Sequence, residues 1–252
     1  MNRLLTLTAV SLYAFLHLPL LVLCAFSLNR SRFTVWEGFS LDWYRAALGD
    51  GQLMEAALNS VVVAVGATLI STAIGTLCAY GLWKRESRAF TLPLSLTLAT
   101  PEIVTGVSLL AFFQWAFRYL HMQLGMHTVV LAHVSFSIAF VVMVVLARLR
   151  TFDRSLEEAA LDLGATEWQA FGRVTLPNLM PGVIAAALLA FTISFDDYVI
   201  TSMVAGVDSE TLPMALYAMA RRGANPAVNA VSTVMVVGLG ALILVSERLR
   251  KR

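Results

Sequence analysis

Charged residues are scarce in this sequence, and their scarcity defines the class of protein before any motif does. Of its 252 residues, 13% are charged and 58% are hydrophobic, whereas a soluble domain carries about 25% charged residues. The mean hydropathy of +0.76 indicates a chain surrounded largely by lipid. The net charge is only +2, which argues against nucleic acid as a partner.

Residues for metal, disulfide and nucleotide chemistry are also few. Cys24 and Cys78 lack the short spacing of a metal site or a disulfide framework. No P-loop run occurs. The four histidines are dispersed. His127 and His133 are six residues apart on one predicted helix, about 600° of rotation, so they face different directions. We interpret them as core or interfacial residues. We therefore expect neither catalysis nor a bound cofactor in this chain.

Long apolar segments are what the sequence has instead. A helix needs about 20 apolar residues to cross about 30 Å of hydrocarbon. The segments that are long enough are 4–29, 58–83, 89–117, 122–147, 178–207 and 224–246. The sequence thus predicts an all-α membrane protein with six transmembrane helices, forming one domain over residues 1–252.

The first segment allows other interpretations, because Arg3 precedes the apolar run as in a cleaved signal peptide. The run is longer than the usual stretch of about 7 to 15 residues, and no small-x-small site closes it. A lipoprotein anchor at Cys24 would need a small residue where Leu23 stands. We therefore expect a transmembrane helix here.

Basic residues divide unevenly between the two sides. Six spans place both termini on one side, together with the 84–88 and 148–173 loops, and this side holds 12 of the 18 basic residues. By the positive-inside rule, this side and both termini are expected in the cytoplasm.

The longest loop on that side, residues 151–177, is patterned as two short helices. Ser155 with Glu158, and Thr166 with Gln169, have the spacing of capping boxes. Gly164 stands where a left-handed residue would end the first helix. The second helix is expected to end before Leu176-Pro177.

The first of these helices has one apolar face, with Glu157, Glu158 and Asp162 off it as exposed acids. The face consists of Leu156, Ala159, Ala160 and Leu163. Its small residues would let a partner approach closely, and the acids could select a basic partner. An amphipathic helix lying on lipid headgroups is the alternative, although acids would then face anionic lipid.

A resemblance enters with Glu158-Ala159-Ala160, three residues, Gly164, nine residues, and Val174-Thr175-Leu176-Pro177. This run resembles the EAA loop of type I ABC importer permeases, with Val174 in place of the family's isoleucine. The resemblance implies the type I fold, with cytoplasmic coupling helices between the fourth and fifth transmembrane helices. The residues it assigns to docking on an ATPase are Glu157, Glu158, Ala159, Ala160, Gly164, Leu176 and Pro177.

Other segments resemble the spermidine/putrescine permeases of that family, specifically their second permease subunit. They are the Pro19 region, Ser27-Leu28-Asn29, Trp36-x-Gly38-Phe39-Ser40, Trp43-Tyr44, Thr211-Leu212-Pro213 and Gly223-x-Asn225-Pro226 with Asn229-Ala230. The resemblance implies a bacterial inner-membrane subunit paired with a homologous permease, as a heterodimer. It also implies two copies of an ATPase that bind ATP and Mg, and an external substrate-binding protein.

Three acids, Glu102, Asp196 and Asp197, interrupt the third and fifth segments, although each costs about 2.5 to 3.5 kcal/mol at the bilayer centre. Glu102 and Asp196 fall about 20 and 22 Å from the cytoplasmic ends of their helices, so they share a level. Adjacent aspartates diverge by about 100° on a helix. We interpret Glu102 and at least one aspartate as lining a route for a cation; the alternatives are pairing with Arg221 or Arg222, and protonation.

The sequence therefore predicts the permease subunit of an ATP-driven importer for a small cation. A polyamine, putrescine or spermidine, is the expected substrate, because its spaced ammonium groups suit carboxylates at one depth and the resemblance agrees. The alternatives are an ABC permease for another small solute, an ion-coupled secondary transporter and a structural subunit.

Overall fold

A computed structural model describes residues 3–31, 35–85, 87–223 and 226–250 of the chain. Regular structure in these ranges is helical, apart from an isolated β-bridge between Asn29 and Phe39. The helices are α1 (Arg3–Ser27), α2 (Asp42–Gly49), α3 (Gly51–Lys84), α4 (Arg88–Ala99), α5 (Glu102–Leu120), α6 (Met126–Leu149), α7 (Arg154–Asp162), α8 (Glu167–Ala170), a π-helical turn (Phe171–Thr175), α9 (Leu176–Asp196), α10 (Val199–Val204), α11 (Leu212–Arg221) and α12 (Pro226–Arg250).

Six helical stretches within these ranges are long and apolar enough to cross a membrane, which confirms the predicted number. They are Leu5–Ser27, Gly51–Lys84, Glu102–Leu120, Met126–Leu149, Glu167–Asp196 and Pro226–Leu244. The chain divides into two compact units. The first comprises Met1–Ala57 and Leu212–Gly240, and the second comprises Leu58–Thr211 and Ala241–Arg252.

Two of the predicted spans are broken, so the expectation of a continuous helix across 89–117 and across 178–207 is wrong. In the first, the helix stops before Pro101, because proline lacks an N–H donor and disfavours the helical conformation in the residue before it. Thr100 is accordingly extended, with φ −76° and ψ 130°. In the second, Asp197 is extended, with φ −66° and ψ 126°, and separates α9 from α10.

In the first unit, Asn29 organises the segment that follows α1. Its amide nitrogen donates to the Val35 carbonyl at 2.8 Å and its side-chain oxygen accepts from the Glu37 N–H at 3.0 Å. The Trp43 indole donates to the Asn29 carbonyl at 2.9 Å. Gly38 has φ +124° in the same segment, a conformation that favours glycine. The N-terminal motif residues therefore build one hydrogen-bonded loop.

The core of the second unit is formed by α3, α6 and α9. The buried apolar residues of this cluster are Ala79, Leu82, Trp83, Val141, Val142, Val145, Leu149, Leu179, Val183, Ala186 and Ala190. The two helices α3 and α6 approach closely at Gly75, where an added Cβ would lie 2.6 Å from Cγ1 of Val141. Small residues at such contacts are the usual means of packing helices in a membrane.

Gly75→Ala should destabilise the second unit by about 1 to 3 kcal/mol, because the added methyl group would overlap the buried, branched Val141. Gly81→Ala on the same helix is the matched control, since nothing lies within 4 Å of its added Cβ. Thermal unfolding in detergent measures both variants. Equal melting temperatures for the two variants would contradict this packing.

Candidate functional site

A cavity of about 410 Å³ lies where both broken spans change direction. Its walls come from the ends of α4 and α9, the starts of α5 and α10, and one face of α6. The residues that line it are Thr97, Leu98, Thr100, Glu102, Thr105, Phe136, Phe140, Ile193, Asp196, Asp197, Tyr198, Val199 and Ile200. The three acids predicted to share a level therefore meet at one cavity.

Glu102 and Asp196 are the open carboxylates of this cavity. Glu102 is the first residue of α5 and is exposed, and Asp196 is the last residue of α9 and is also exposed. An acid in the first turn of a helix is stabilised by the helix dipole and the free N–H groups. Glu102 therefore lies at the end of α5 that favours a negative charge.

Asp197, in contrast, is buried and bonded to other residues of the protein. Its side chain is 5% exposed, and one oxygen lies 3.4 Å from Nε2 of His133. The same oxygen accepts hydrogen bonds from the backbone N–H and from the hydroxyl of Thr201, both at 2.8 Å. Asp197 thus caps α10 while it contacts α6, so the structural interpretation holds for this aspartate with a histidine as the partner.

His133 is a satisfied core residue, as the sequence indicated. It is 1% exposed, with Nδ1 2.7 Å from the Ser194 hydroxyl and Nε2 2.9 Å from the Thr201 hydroxyl. The partnership between His133 and Asp197 was missed from the sequence, because the two residues lie in different spans and no local spacing relates them.

The 151–177 loop is helical, with one cap moved from its expected position. Asp153, not Ser155, caps α7, and its side chain accepts from the Ser155 N–H at 3.0 Å. The expected Ser155–Glu158 capping box is therefore wrong by two residues, because the helix begins at Arg154. The Thr166–Gln169 capping box is confirmed, as is the left-handed Gly164, with φ +87°.

The second short helix does not end before Leu176-Pro177, contrary to the expectation. A π-helical turn, closed by the Leu176 N–H donating to the Phe171 carbonyl, joins α8 directly to α9. Pro177 falls in the first turn of α9, directly after the π-helical turn. Residues Glu167–Asp196 consequently form one continuous helical stretch, which runs from the loop to the cavity.

Glu157 is buried, which corrects the expectation that it is an exposed acid. It is 2% exposed and pairs with Nζ of Lys84 at 2.5 Å. The Tyr80 hydroxyl donates to it at 2.7 Å, and the Thr175 hydroxyl donates at 3.1 Å. Burial disfavours its charged form, but the bonds from Lys84, Tyr80 and Thr175 outweigh burial and hold the pKa of Glu157 below its ordinary value.

The partners of Glu157 were missed because they lie on other elements. Lys84 ends α3, and the sequence used it only as evidence of orientation. A lone lysine closing an apolar span is the signal that could have indicated a buried partner. Glu157 therefore joins α7 to the end of α3 and to the π-helical turn.

The outer face of the loop is apolar and unusually exposed. Leu156 is 47% exposed, Leu163 is 89% exposed and Trp168 is 71% exposed. Ala159 and Glu158 are also exposed. The apolar face predicted for this helix thus points away from the protein.

The fold and the cavity define a helical membrane transport protein with an acidic site. Residues 71–252 match the family described as binding-protein-dependent transport system inner membrane component, and the chain belongs to this family. It is therefore an inner-membrane, multi-pass permease subunit, a role that fits a non-catalytic protein.

Curated relatives are similar over almost the whole chain. The chain is 36% identical to the spermidine/putrescine transport system permease protein PotC of Haemophilus influenzae, over 95% of this chain and 93% of that protein. It is 39% identical to the putrescine transport system permease protein PotI of Escherichia coli, over 95% of this chain and 88% of that protein.

Solved structures share the fold. A bacterial ABC transporter involved in the import of the acidic polysaccharide alginate matches with a TM-score of 0.74 at 14% identity, over 99% of this chain and 94% of that chain. The MetNI methionine ABC transporter matches with a TM-score of 0.62 at 17% identity, over 80% of this chain and 98% of that chain. The predicted type I ABC importer permease fold is confirmed.

Glu157→Gln should destabilise the α7 segment by about 1 to 3 kcal/mol at neutral pH, because the Lys84 ammonium loses a buried charged partner. Glu158→Gln is the matched control, since Glu158 is exposed. Hydrogen exchange at the α7 amides measures the difference.

Acidification gives a second readout of the same pair. Because the pKa of Glu157 is lowered from 4.5, its stabilisation is complete above that pH and is lost as the pH falls through the lowered value. The difference in the stability of α7 between the wild type and Glu157→Gln should therefore become smaller below pH 4.5. If Glu157→Gln leaves the stability of α7 unchanged at neutral pH, or lowers it no more than Glu158→Gln does, the Lys84–Glu157 pair does not stabilise this helix.

Proposed function

We propose that this chain is the permease subunit of an ATP-driven importer that carries a small cation, and that the cation is a polyamine such as putrescine or spermidine. The observation that carries the proposal is the cavity lined by the exposed carboxylates of Glu102 and Asp196. The third acid, Asp197, is instead bonded to His133 and Thr201. The names of the curated relatives support the same substrate class.

The chemistry of the cavity suits an organic cation with more than one ammonium group. Its volume of about 410 Å³ lies within the usual range for small-molecule sites, about 300 to 1,000 Å³. Two open carboxylates offer separate ion pairs. Phe136, Phe140 and Tyr198 also line the cavity, and aromatic faces attract cations.

The assembly in this proposal contains more than one chain. This chain, as one six-helix domain with both termini in the cytoplasm, pairs with a homologous permease to form a heterodimer. Two cytoplasmic ATPase subunits bind ATP and Mg, while a binding protein delivers substrate from outside. The absence of a P-loop in the sequence supports this division of labour.

The coupling surface of this proposal is the exposed face of the 151–177 loop. It comprises the motif residues Glu158, Ala159 and Gly164 with the apolar side chains Leu156, Leu163 and Trp168. Exposed apolar groups of this size mark interaction sites when they are contiguous. Glu157 acts from behind this surface, where its bonds to Lys84 and Tyr80 hold α7 against α3.

Movement would reach the cavity through one helical rod. The stretch Glu167–Asp196 spans about 45 Å at 1.5 Å per residue, with Leu176 and Pro177 near its cytoplasmic end. It starts in the coupling loop and ends at Asp196. A displacement of the loop could therefore reach a cavity carboxylate along one helical stretch, which contains the π-helical turn and Pro181.

Replacing Glu102 by Gln together with Asp196 by Asn should lower polyamine uptake about tenfold or more, because each lost carboxylate removes a charge-assisted bond. Uptake of labelled putrescine is measured in proteoliposomes that contain the complete transporter. ATP hydrolysis by the complex reports that the variant is still assembled.

Glu55→Gln is the matched control for this experiment, because Glu55 is exposed and does not line the cavity. If Glu55→Gln lowers uptake as much, general surface charge explains the effect. Undiminished uptake by the double variant would remove the cavity acids from the substrate route.

Leu163→Glu should abolish co-purification of the ATPase and leave the melting temperature of the chain unchanged, since Leu163 is 89% exposed. Pull-down from membranes that contain both subunits measures the association. Gly172→Ala in the π-helical turn is the control, as nothing lies within 4 Å of its added Cβ. Retention of the ATPase by Leu163→Glu would exclude this face as the docking surface.

A further inference from the structure

A second cavity, of about 680 Å³, lies at the other end of the second unit's helices and is unrelated to the acidic site. The residues that line it are Leu82, Trp83, Ser87, Arg88, Thr91, Leu146, Arg150, Phe152 and Arg154. It is formed where α3 ends, α4 begins and α6 ends. The cavity is therefore at the level where these helices leave the hydrocarbon.

Three guanidinium groups converge on this cavity. Arg88 and Arg150 are exposed, and neither takes part in an ion pair among the described residues. Arg154 is fixed by a 2.8 Å hydrogen bond to the Trp83 carbonyl and by stacking 4.6 Å above the Trp83 ring. Since guanidinium has five N–H donors, Arg154 keeps donors for a ligand.

The surrounding charge favours an anion. None of the described residues that line the cavity is acidic. The chain segments around it, 82–91 and 146–154, contain six basic residues against two acids. Lys84, which lies in the first of these segments, is already paired with Glu157. Three arginines that repel one another thus face a space of ligand size.

The walls of the cavity are divided by polarity. Leu82, Trp83 and Leu146 come from the last turns of the spanning helices and provide an apolar side, whereas the arginines provide a cationic side. Tryptophan and arginine together are typical of the membrane–water interface. A ligand with a phosphate headgroup and an acyl tail matches both sides, which a free inorganic anion does not.

We propose that this cavity binds the headgroup of an anionic phospholipid, such as phosphatidylglycerol, at the edge of the bilayer. The phosphate contacts Arg88, Arg150 and Arg154, and the start of the acyl chains packs on Leu82 and Leu146. Basic pockets between membrane helices are suited to such headgroups. The bound lipid joins α4 and α6 to the first residue of α7, so it supports the base of the coupling loop.

Native mass spectrometry of the full chain in detergent, titrated with phosphatidylglycerol or phosphatidylcholine, tests the proposal. Phosphatidylglycerol should bind about tenfold more tightly, and Arg88→Gln with Arg150→Gln should remove about tenfold of that affinity. Arg118→Gln, which changes an exposed arginine in the last turn of α5, should leave it unchanged. Equal binding of both lipids, or an unaffected double variant, would overturn the proposal.

A competition experiment separates the lipid from a free anion. Millimolar inorganic phosphate should not displace phosphatidylglycerol, and displacement would assign the site to a free anion.

A measurement on the wild-type chain avoids any dependence on the folding of variants. Arginine-selective labelling in phosphatidylglycerol nanodiscs should protect Arg88 and Arg150 relative to phosphatidylcholine nanodiscs, while labelling of Arg118 stays the same. Equal labelling of all three residues in both lipids would also overturn the proposal.

Discussion

Ending a helix inside a membrane leaves backbone N–H groups that lipid cannot satisfy. In the fifth span, Asp197 accepts hydrogen bonds from such groups. Its carboxylate accepts from the N–H of Thr201 at the start of α10, and it is itself held by His133 of α6. Because this junction is stable, the chain can turn beside Asp196 and leave an open carboxylate at the turn. The cavity, its acids and its aromatic walls depend on that break and on the matching break at Pro101.

The acidic cavity and the 151–177 loop are joined by one helical stretch. The π-helical turn removes the break expected at Leu176-Pro177, so a continuous helical stretch leads from Glu167 to Asp196. Glu157 ties α7 to the end of α3 through Lys84 and Tyr80. The loop is therefore fixed at its base, exposed along its outer face and continuous with the helix that follows it.

Sequence reasoning reached the features that depend on local spacing or composition. The six apolar spans, the Thr166 cap, the left-handed Gly164 and the common level of Glu102 and Asp196 are all of this kind. The sequence did not reveal that Glu157 is buried or that Asp197 pairs with His133, because each contact joins residues more than sixty positions apart. The helix breaks at Thr100 and Asp197 were missed because hydropathy reports apolar length and not backbone direction.

The most direct test of the account is the energy source of polyamine uptake by the complete transporter in proteoliposomes. An ATP-driven importer requires ATP on the side of its ATPase subunits and continues to transport when a protonophore collapses the proton gradient. We expect that result, together with no uptake when ATP is omitted. Uptake that proceeds without ATP and follows the proton gradient would contradict the account and assign the acids to ion coupling.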